Sequence, residues 1–118
     1  MAVNAQELRI GNFIQTPEGL AKVVTIANMK IGGTRLENGN HKVMEYEDCE
    51  PIELTVDWLD RFGFIKEDET WWNNHVGVKT VEGGFYFSAM HDGITDISYV
   101  HQLQNLAYAI NQTELTLE

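Results

Sequence analysis

Apolar and polar positions change rhythm along this chain of 118 residues. From Leu8 to Leu54 the apolar residues fall in short runs broken by turn residues, the signature of half-buried strands. Leu8-Arg9-Ile10 alternates, and Gly11-Asn12 follows as a turn. Phe13-Ile14-Gln15 resumes an extended run before Thr16-Pro17-Glu18-Gly19, where Pro and Gly favour a tight turn. Leu20 to Asn28 carries Val23, Val24, Thr25 and Ile26 together, which predicts a half-buried strand. Gly32-Gly33 and Asn38-Gly39-Asn40 then frame two further strands, Thr34 to Glu37 and His41 to Met44. Asn38-Gly39 is the strongest two-residue hairpin signal in the chain. Four or five short strands within about 45 residues predict a small closed or nearly closed barrel. The SH3-like barrel is the commonest architecture of that size and is the first expectation, by analogy of fold.

Beyond the barrel region the rhythm lengthens. Asp48 to Leu54 reads as an extended connector, with Pro51 discouraging helix before it. Thr55 is placed to cap a short helix, Val56 to Phe62, with its hydroxyl accepting from an early backbone N–H and Asp57 in the first turn. Trp58, Leu59 and Phe62 share one face of that helix; Gly63 supplies a left-handed stop and Phe64 can pack back. Lys66 to Thr70 reads as a charged turn, and Trp71-Trp72 open a second β region. There Val76 to Val81 and Phe85 to Ala89 are joined by Glu82-Gly83-Gly84, and Asp92-Gly93 turns the chain into Ile94 to Tyr99. That is a three-stranded antiparallel meander. A C-terminal amphipathic helix over Val100 to Ile110 carries the apolar stripe Val100, Leu103, Leu106, Ala107 and Ile110. Gln102, Gln104, Asn105 and Asn111 face elsewhere, and Gln112 to Glu118 is expected as a loosely held tail. The fold class is therefore α+β, a single domain over 1–118, with a barrel-like β region at 1–54 and a helix–meander–helix region at 55–118.

Three blocks of residues also form a recognisable pattern. They are Glu7-Leu8-Arg9-Ile10-Gly11-Asn12; Glu50-Pro51-Ile52-Glu53-Leu54-Thr55 with Trp58-Leu59 and Phe62-Gly63-Phe64; and Tyr99-Val100-His101-Gln102-Leu103-Gln104-Asn105-Leu106. In these the chain resembles a family of small uncharacterised (hypothetical) proteins from gut bacteria and from their phages and mobile elements. The last block is the most specific, because a Gln/Asn/His-rich opening on an amphipathic helix is uncommon. Asn111-Gln112 departs from the Thr-Gly ending of the family, which touches only the helix stop. The resemblance implies a shared fold and an origin on mobile or phage-derived DNA, and it brings no reaction, cofactor or active site.

Charge narrows the field of partners. Eighteen acidic residues against eight basic ones leave a formal charge of −10. Nucleic-acid binding draws most of its affinity from Lys and Arg at phosphates, and the basic residues here are scattered. A local basic face from Lys22, Lys30, Arg35 and Lys42 is the one arrangement that would serve, against an overall field that repels a polyanion. The charge suits solubility or a basic partner better. The single Cys49 allows no internal disulfide and no thiolate cluster. Met1 to Ile10 is polar where a signal peptide needs an apolar stretch, and no segment approaches the ~20 apolar residues of a membrane span. A cytoplasmic location with no membrane partner is expected.

Candidate chemistry is sparse. His91-Asp92 before Gly93 invites comparison with metal-dependent phosphohydrolases, but His41, His75 and His101 fall at no ligand spacing, and Asp-Gly after a strand is an ordinary turn. Glu47, Asp48 and Glu50 surround Cys49 with negative charge that disfavours a thiolate nucleophile. The run Glu45, Glu47, Asp48 and Glu50 lacks the spacing and glycine of a calcium loop and reads as a solvated edge. No metal or cofactor is expected. The binding candidates are Trp71, Trp72 and His75 on the hairpin, and His101, Gln102 and Asn105, with Gln104, on the last helix. Neighbouring strand residues point to opposite faces, so at most one of the two Trp side chains enters a core directly. The other is an exposed aromatic anchor or part of a seal over the seam between the two β regions. The polar residues of the last helix form either a recognition face or local hydrogen bonds at the strand-to-helix junction. The expected function is a non-enzymatic accessory or interaction module with a protein partner. The alternatives are a nucleic-acid-binding barrel and a metal-dependent enzyme, and self-association stays open.

Overall fold

The computed structural model describes residues 3–27, 30–81, 84–88 and 94–117. The chain is α+β, with two antiparallel sheets and a C-terminal helix. It divides into two compact units, Met1–Ile52 and Glu53–Glu118, and each is described by itself.

In the first unit, β1 (Phe13–Thr16), β2 (Gly19–Ala27), β3 (Lys30–Arg35) and β4 (His41–Glu45) form one sheet in chain order. The turn between β1 and β2 is held by its own residues. Thr16 Oγ1 donates to the Gly19 carbonyl at 2.8 Å and accepts from Glu18 N–H at 3.2 Å. Gly19 sits at φ 122°, a conformation side chains resist. Along β2, Ala21 and Val23 point inward and Lys22 outward, until a bulge between Val23 and Thr25 breaks the alternation. The core is Val3, Ile14, Ala21, Val23, Ile31 and Cys49, flanked by Leu8, Met44 and Tyr46. Burying each of the larger aliphatics is worth roughly 1.5–3 kcal/mol.

Three expectations fail in this unit. Gly32-Gly33 is not a turn but lies inside β3. A Cβ on Gly32 would overlap Thr25 Oγ1, and one on Gly33 would come 3.1 Å from Met44 Cε. The glycines are there for close approach of neighbours. Nor is the barrel closed. The strand order leaves β1 and β4 at opposite edges, and among the described residues no ladder joins them. In its place the chain returns through a 3-10 turn (Tyr46–Asp48) to a single bridge, in which Gln15 and Glu50 exchange two backbone hydrogen bonds of 2.9 and 2.8 Å. The loop around Asn38-Gly39 is also longer than the Asn38–Asn40 turn expected, since β3 ends at Arg35 and β4 begins at His41.

The second unit opens with α1 (Val56–Arg61), which buries Trp58 and Leu59. Thr55 holds the cap position through its carbonyl, which accepts from Trp58 and Leu59 N–H; its hydroxyl makes no capping bond, contrary to expectation. Gly63 (φ 82°) stops the helix, and Phe64 N–H donates to the Leu59 carbonyl at 3.0 Å, which turns the Phe64 ring back into the core. The meander then has five strands rather than three: β5 (Ile65–Glu67), β6 (Thr70–Asn73), β7 (Val76–Val81), β8 (Gly84–Ser88) and β9 (Ile94–Ile97), in chain order. The stretch expected as a charged turn supplies β5, and only Asp68 and Glu69 remain as the turn. The expected Glu82-Gly83 and Asp92-Gly93 turns lie outside the described residues.

Helix α2 (Val100–Asn111) packs across β7. Val100, Leu103 and Ala107 are buried as expected, but so are His101 and Gln104, while Ile110 is exposed. The buried stripe is therefore turned toward Gln104, away from Ile110. Leu115 is only 7% exposed, so the segment after the helix is packed at that point and not wholly a loose tail. Among the described residues no helix is long and apolar enough to cross a membrane.

Candidate functional site

Register divides the second sheet into two chemically different faces. Trp71, Asn73, Val76, Val78 and Ile97 fall on one face; Val76, Val78 and Ile97 are buried there. The opposite face carries the cross-strand row Ile65–Trp72–Gly77, followed by Glu67–Thr70–Lys79–Tyr86–Asp96. Trp71 and Trp72 thus part as the alternation requires. Trp71 is half-buried on the inner face, and Trp72 is 37% exposed on the outer one.

Trp72 owes its pose to Gly77. A Cβ built on Gly77 would lie 2.9, 3.0 and 3.2 Å from three carbons of the Trp72 ring. The indole therefore lies flat over a residue with no side chain, and Ile65, 69% exposed, is its direct cross-strand neighbour. The end of β5 and the turn beside this row carry Glu67, Asp68 and Glu69, all exposed. An aromatic plate, an exposed aliphatic residue and an acidic rim make up the strongest candidate surface.

The remaining expected site residues do not gather round it. His75 is exposed at the β6–β7 turn, where Asn74 adopts φ 54°. His101 is 1% exposed and stacks on Tyr99, with ring centroids 5.9 Å apart. Gln102 Oε1 accepts from the backbone N–H groups of Ser98 (2.9 Å) and Tyr99 (3.1 Å), which is half of a capping box. Asn105 is half-buried. With His101 and Gln104 buried and Gln102 engaged at the cap, the opening of α2 presents no joint polar recognition face.

The basic residues of the first unit are largely matched by acids. Lys42 Nζ lies 2.9 Å from Glu18, Arg35 3.0 Å from Glu37 and Lys30 3.9 Å from Glu45. The hydrogen bond from Lys42 holds the Glu18 carboxyl below its usual range. A cleft of about 190 Å³ between β1 and β4 contains two of these pairs together with Asp48. A phosphate there would have to compete with carboxylates already in place. Cys49 is buried, and that burial, reinforced by Asp48, pushes its thiol above the ordinary value. Among the described residues no three His, Cys, Asp or Glu side chains are grouped to hold a metal ion. The His91-Asp92 pair lies outside the described residues.

Two participants escaped the sequence reading. Ile65 was missed because β5 is only three residues long. Gly77 was missed because its role needs the β6–β7 register, although a glycine within a strand is itself a sign of close approach. No family model, curated protein or solved structure matches the chain.

Proposed function

We propose that this protein is a non-enzymatic interaction module that docks a protein partner on the outer face of its second sheet. The observation that carries the reading is the exposed Trp72 indole, laid over Gly77 beside exposed Ile65. Trp side chains with such exposure are favoured interface anchors. The acidic rim and the net charge of −10 favour a basic partner. The family resemblance supports a phage or mobile-element setting, and the lone Cys49 suits a reducing, cytoplasmic one. In this reading the four-stranded sheet is a small SH3-like scaffold left open at one seam.

The test is a tagged pull-down from native cell extract at moderate salt, with the wild-type chain and the Trp72→Ala and Ile65→Ser variants side by side. A stoichiometric protein retained by wild type and lost by both folded variants supports the reading. Retention of every partner by folded variants removes it. Recovery of nucleic acid alone, in a salt-sensitive manner, would move the function to Lys22 and its neighbours. Self-association that disappears with Trp72→Ala would make the partner a second copy.

A further inference from the structure

The β4 edge of the first sheet also points to a partner, and it shares no residue with the Ile65–Trp72 row. Proteins blunt sheet edges with short strands, bulges, prolines, unmatched charges or a covering segment. Glu50 bridges the edge of β1, and β5 and β9 run for only three and four residues. β4 has five residues, His41–Glu45, with no proline, and its ladder to β3 runs without a shift in register. His41, Lys42, Val43 and Glu45 are exposed, Val43 to 57%. The charges of Lys42 and Glu45 are matched within the chain, by Glu18 at 2.9 Å and by Lys30 at 3.9 Å. Among the described residues, none of the usual devices keeps a further strand off this edge.

Backbone phase decides what β4 offers. Arg35 N–H donates to the Asn40 carbonyl at 2.9 Å, while on the far side of β3 Leu36 N–H donates to the Leu20 carbonyl at 3.0 Å. Antiparallel pairs alternate between hydrogen-bonded and open, so Gly33–Lys42 and Ile31–Met44 are the bonded pairs of the β3–β4 ladder. His41, Val43 and Glu45 therefore aim their N–H and carbonyl groups away from the sheet. The Glu45 carbonyl accepts from the Cys49 thiol at 3.5 Å. The backbone groups of His41 and Val43 and the N–H of Glu45 meet no partner among the described residues. Such a pattern is completed by another extended backbone. Its symmetry about Val43 says which one. An antiparallel copy of β4 centred there pairs Val43 with Val43 of the second copy in both directions, and sets each Glu45 N–H against a His41 carbonyl. His41 then lies opposite Glu45 and Lys42 opposite Met44, so no like charges meet. A centre at Lys42 would set Lys42 against itself, and one at Met44 would carry His41 past the end of the second strand.

We propose that two copies of this chain form a two-fold dimer through β4, joining their four-stranded sheets into one continuous sheet centred on Val43. One five-residue strand from each copy is a small contact against the roughly 1,200–2,000 Å² of stable interfaces, so the dimer is weak and forms at about 0.1–1 mM. The net charge of −10 opposes approach at long range, and about 0.15 M salt screens it beyond about 8 Å.

Sedimentation velocity of the full chain from about 20 µM to about 1 mM, in about 0.15 M NaCl, measures the association. Backbone amide hydrogen exchange at both ends of that range locates it. A reversible dimer is expected at the upper end, where the Val43 and Glu45 amides slow severalfold. Lys42 and Met44, bonded to β3, are expected to be slow throughout. Val43→Lys sets two like charges across the centre and keeps the fold, because that side chain lies in solvent. Val43→Pro removes the outward N–H without breaking a bond to β3. Each is expected to weaken the dimer at least about tenfold. Trp72→Ala is expected to leave it unchanged, so the fate of the docking reading is decided separately. A chain that stays monomeric at about 1 mM, protection gained elsewhere than at Val43 and Glu45, or a dimer that survives Val43→Lys overturns the proposal. So does a dimer lost with Trp72→Ala, which would put the second copy on the other sheet.

Discussion

Adding one methyl group at Gly77 tests how the Trp72 plate is held. The alanine Cβ would meet three indole carbons at 2.9–3.2 Å, whereas carbon atoms rest at about 3.5–4.0 Å. The ring must therefore lift by roughly 0.5–1 Å. Overpacking costs about 1–3 kcal/mol, and the low end applies here because the outer side of the indole is open. Against this, Gly→Ala at a position without positive φ stabilises by about 0.4–1 kcal/mol through the unfolded chain. Gly77→Ala is thus expected to be neutral to mildly destabilising in the wild-type background. In a Trp72→Ala background the clash is gone, and the same change is expected to stabilise. The double-mutant cycle should return a coupling of about 1–2 kcal/mol. Urea unfolding followed by far-UV circular dichroism reads all four proteins, and tryptophan emission shows the ring moving into solvent. Equal effects of Gly77→Ala in the two backgrounds, within about 0.3–0.5 kcal/mol, would refute the packing argument.

Two further predictions concern stability. Gln102→Ala removes the acceptor for the Ser98 and Tyr99 N–H groups and should cost about 1–2 kcal/mol in urea unfolding, whereas Gln102→Glu keeps the acceptor and suits the helix start. Cys49 gives a pH dependence. Its folded thiol titrates above the ordinary value of 9.0, so its contribution is complete below that pH and declines as pH rises toward the folded value. The stability of wild type should fall more steeply than that of Cys49→Ala as pH rises above the ordinary thiol value, and parallel curves would refute the assignment.

What the sequence disclosed depended on whether the signal was local. The Thr16–Gly19 turn, α1 with its Gly63 stop, β7 and α2 were readable because each is fixed by residues within a few positions of one another. Gly32-Gly33 misled because the same dipeptide serves a turn and a close approach, and only the neighbouring side chains Thr25 and Met44, on the adjacent strands, decide between them. The barrel failed for a related reason. Strand count was partly legible, but closure depends on how β1 meets the segment around Glu50, which was read only as a connector and supplies a single bridge. Among the site residues, the parting of Trp71 from Trp72 followed from alternation alone. Which of them faced outward, and what lay beneath it, required the β6–β7 pairing. The hydrogen bond from Asn111 to the Asn73 carbonyl was illegible because its partners are 38 residues apart and carry no motif.

Strand order has a last consequence, for the way the chain assembles. In both sheets each strand pairs with the strand next to it in sequence. Such pairings close only short loops, so little chain entropy stands against them, and proteins built this way fold faster than β proteins of distant pairing. The distant connections among the described residues include the Val3–Cys49 hydrogen bond and the Gln15–Glu50 bridge in one unit, and in the other the Glu53–Tyr99 bridge and the seating of α2 on β7. Hairpins can therefore zip up as soon as their residues leave the ribosome. The second unit alone must wait for its final helix before the apolar side of its sheet is covered.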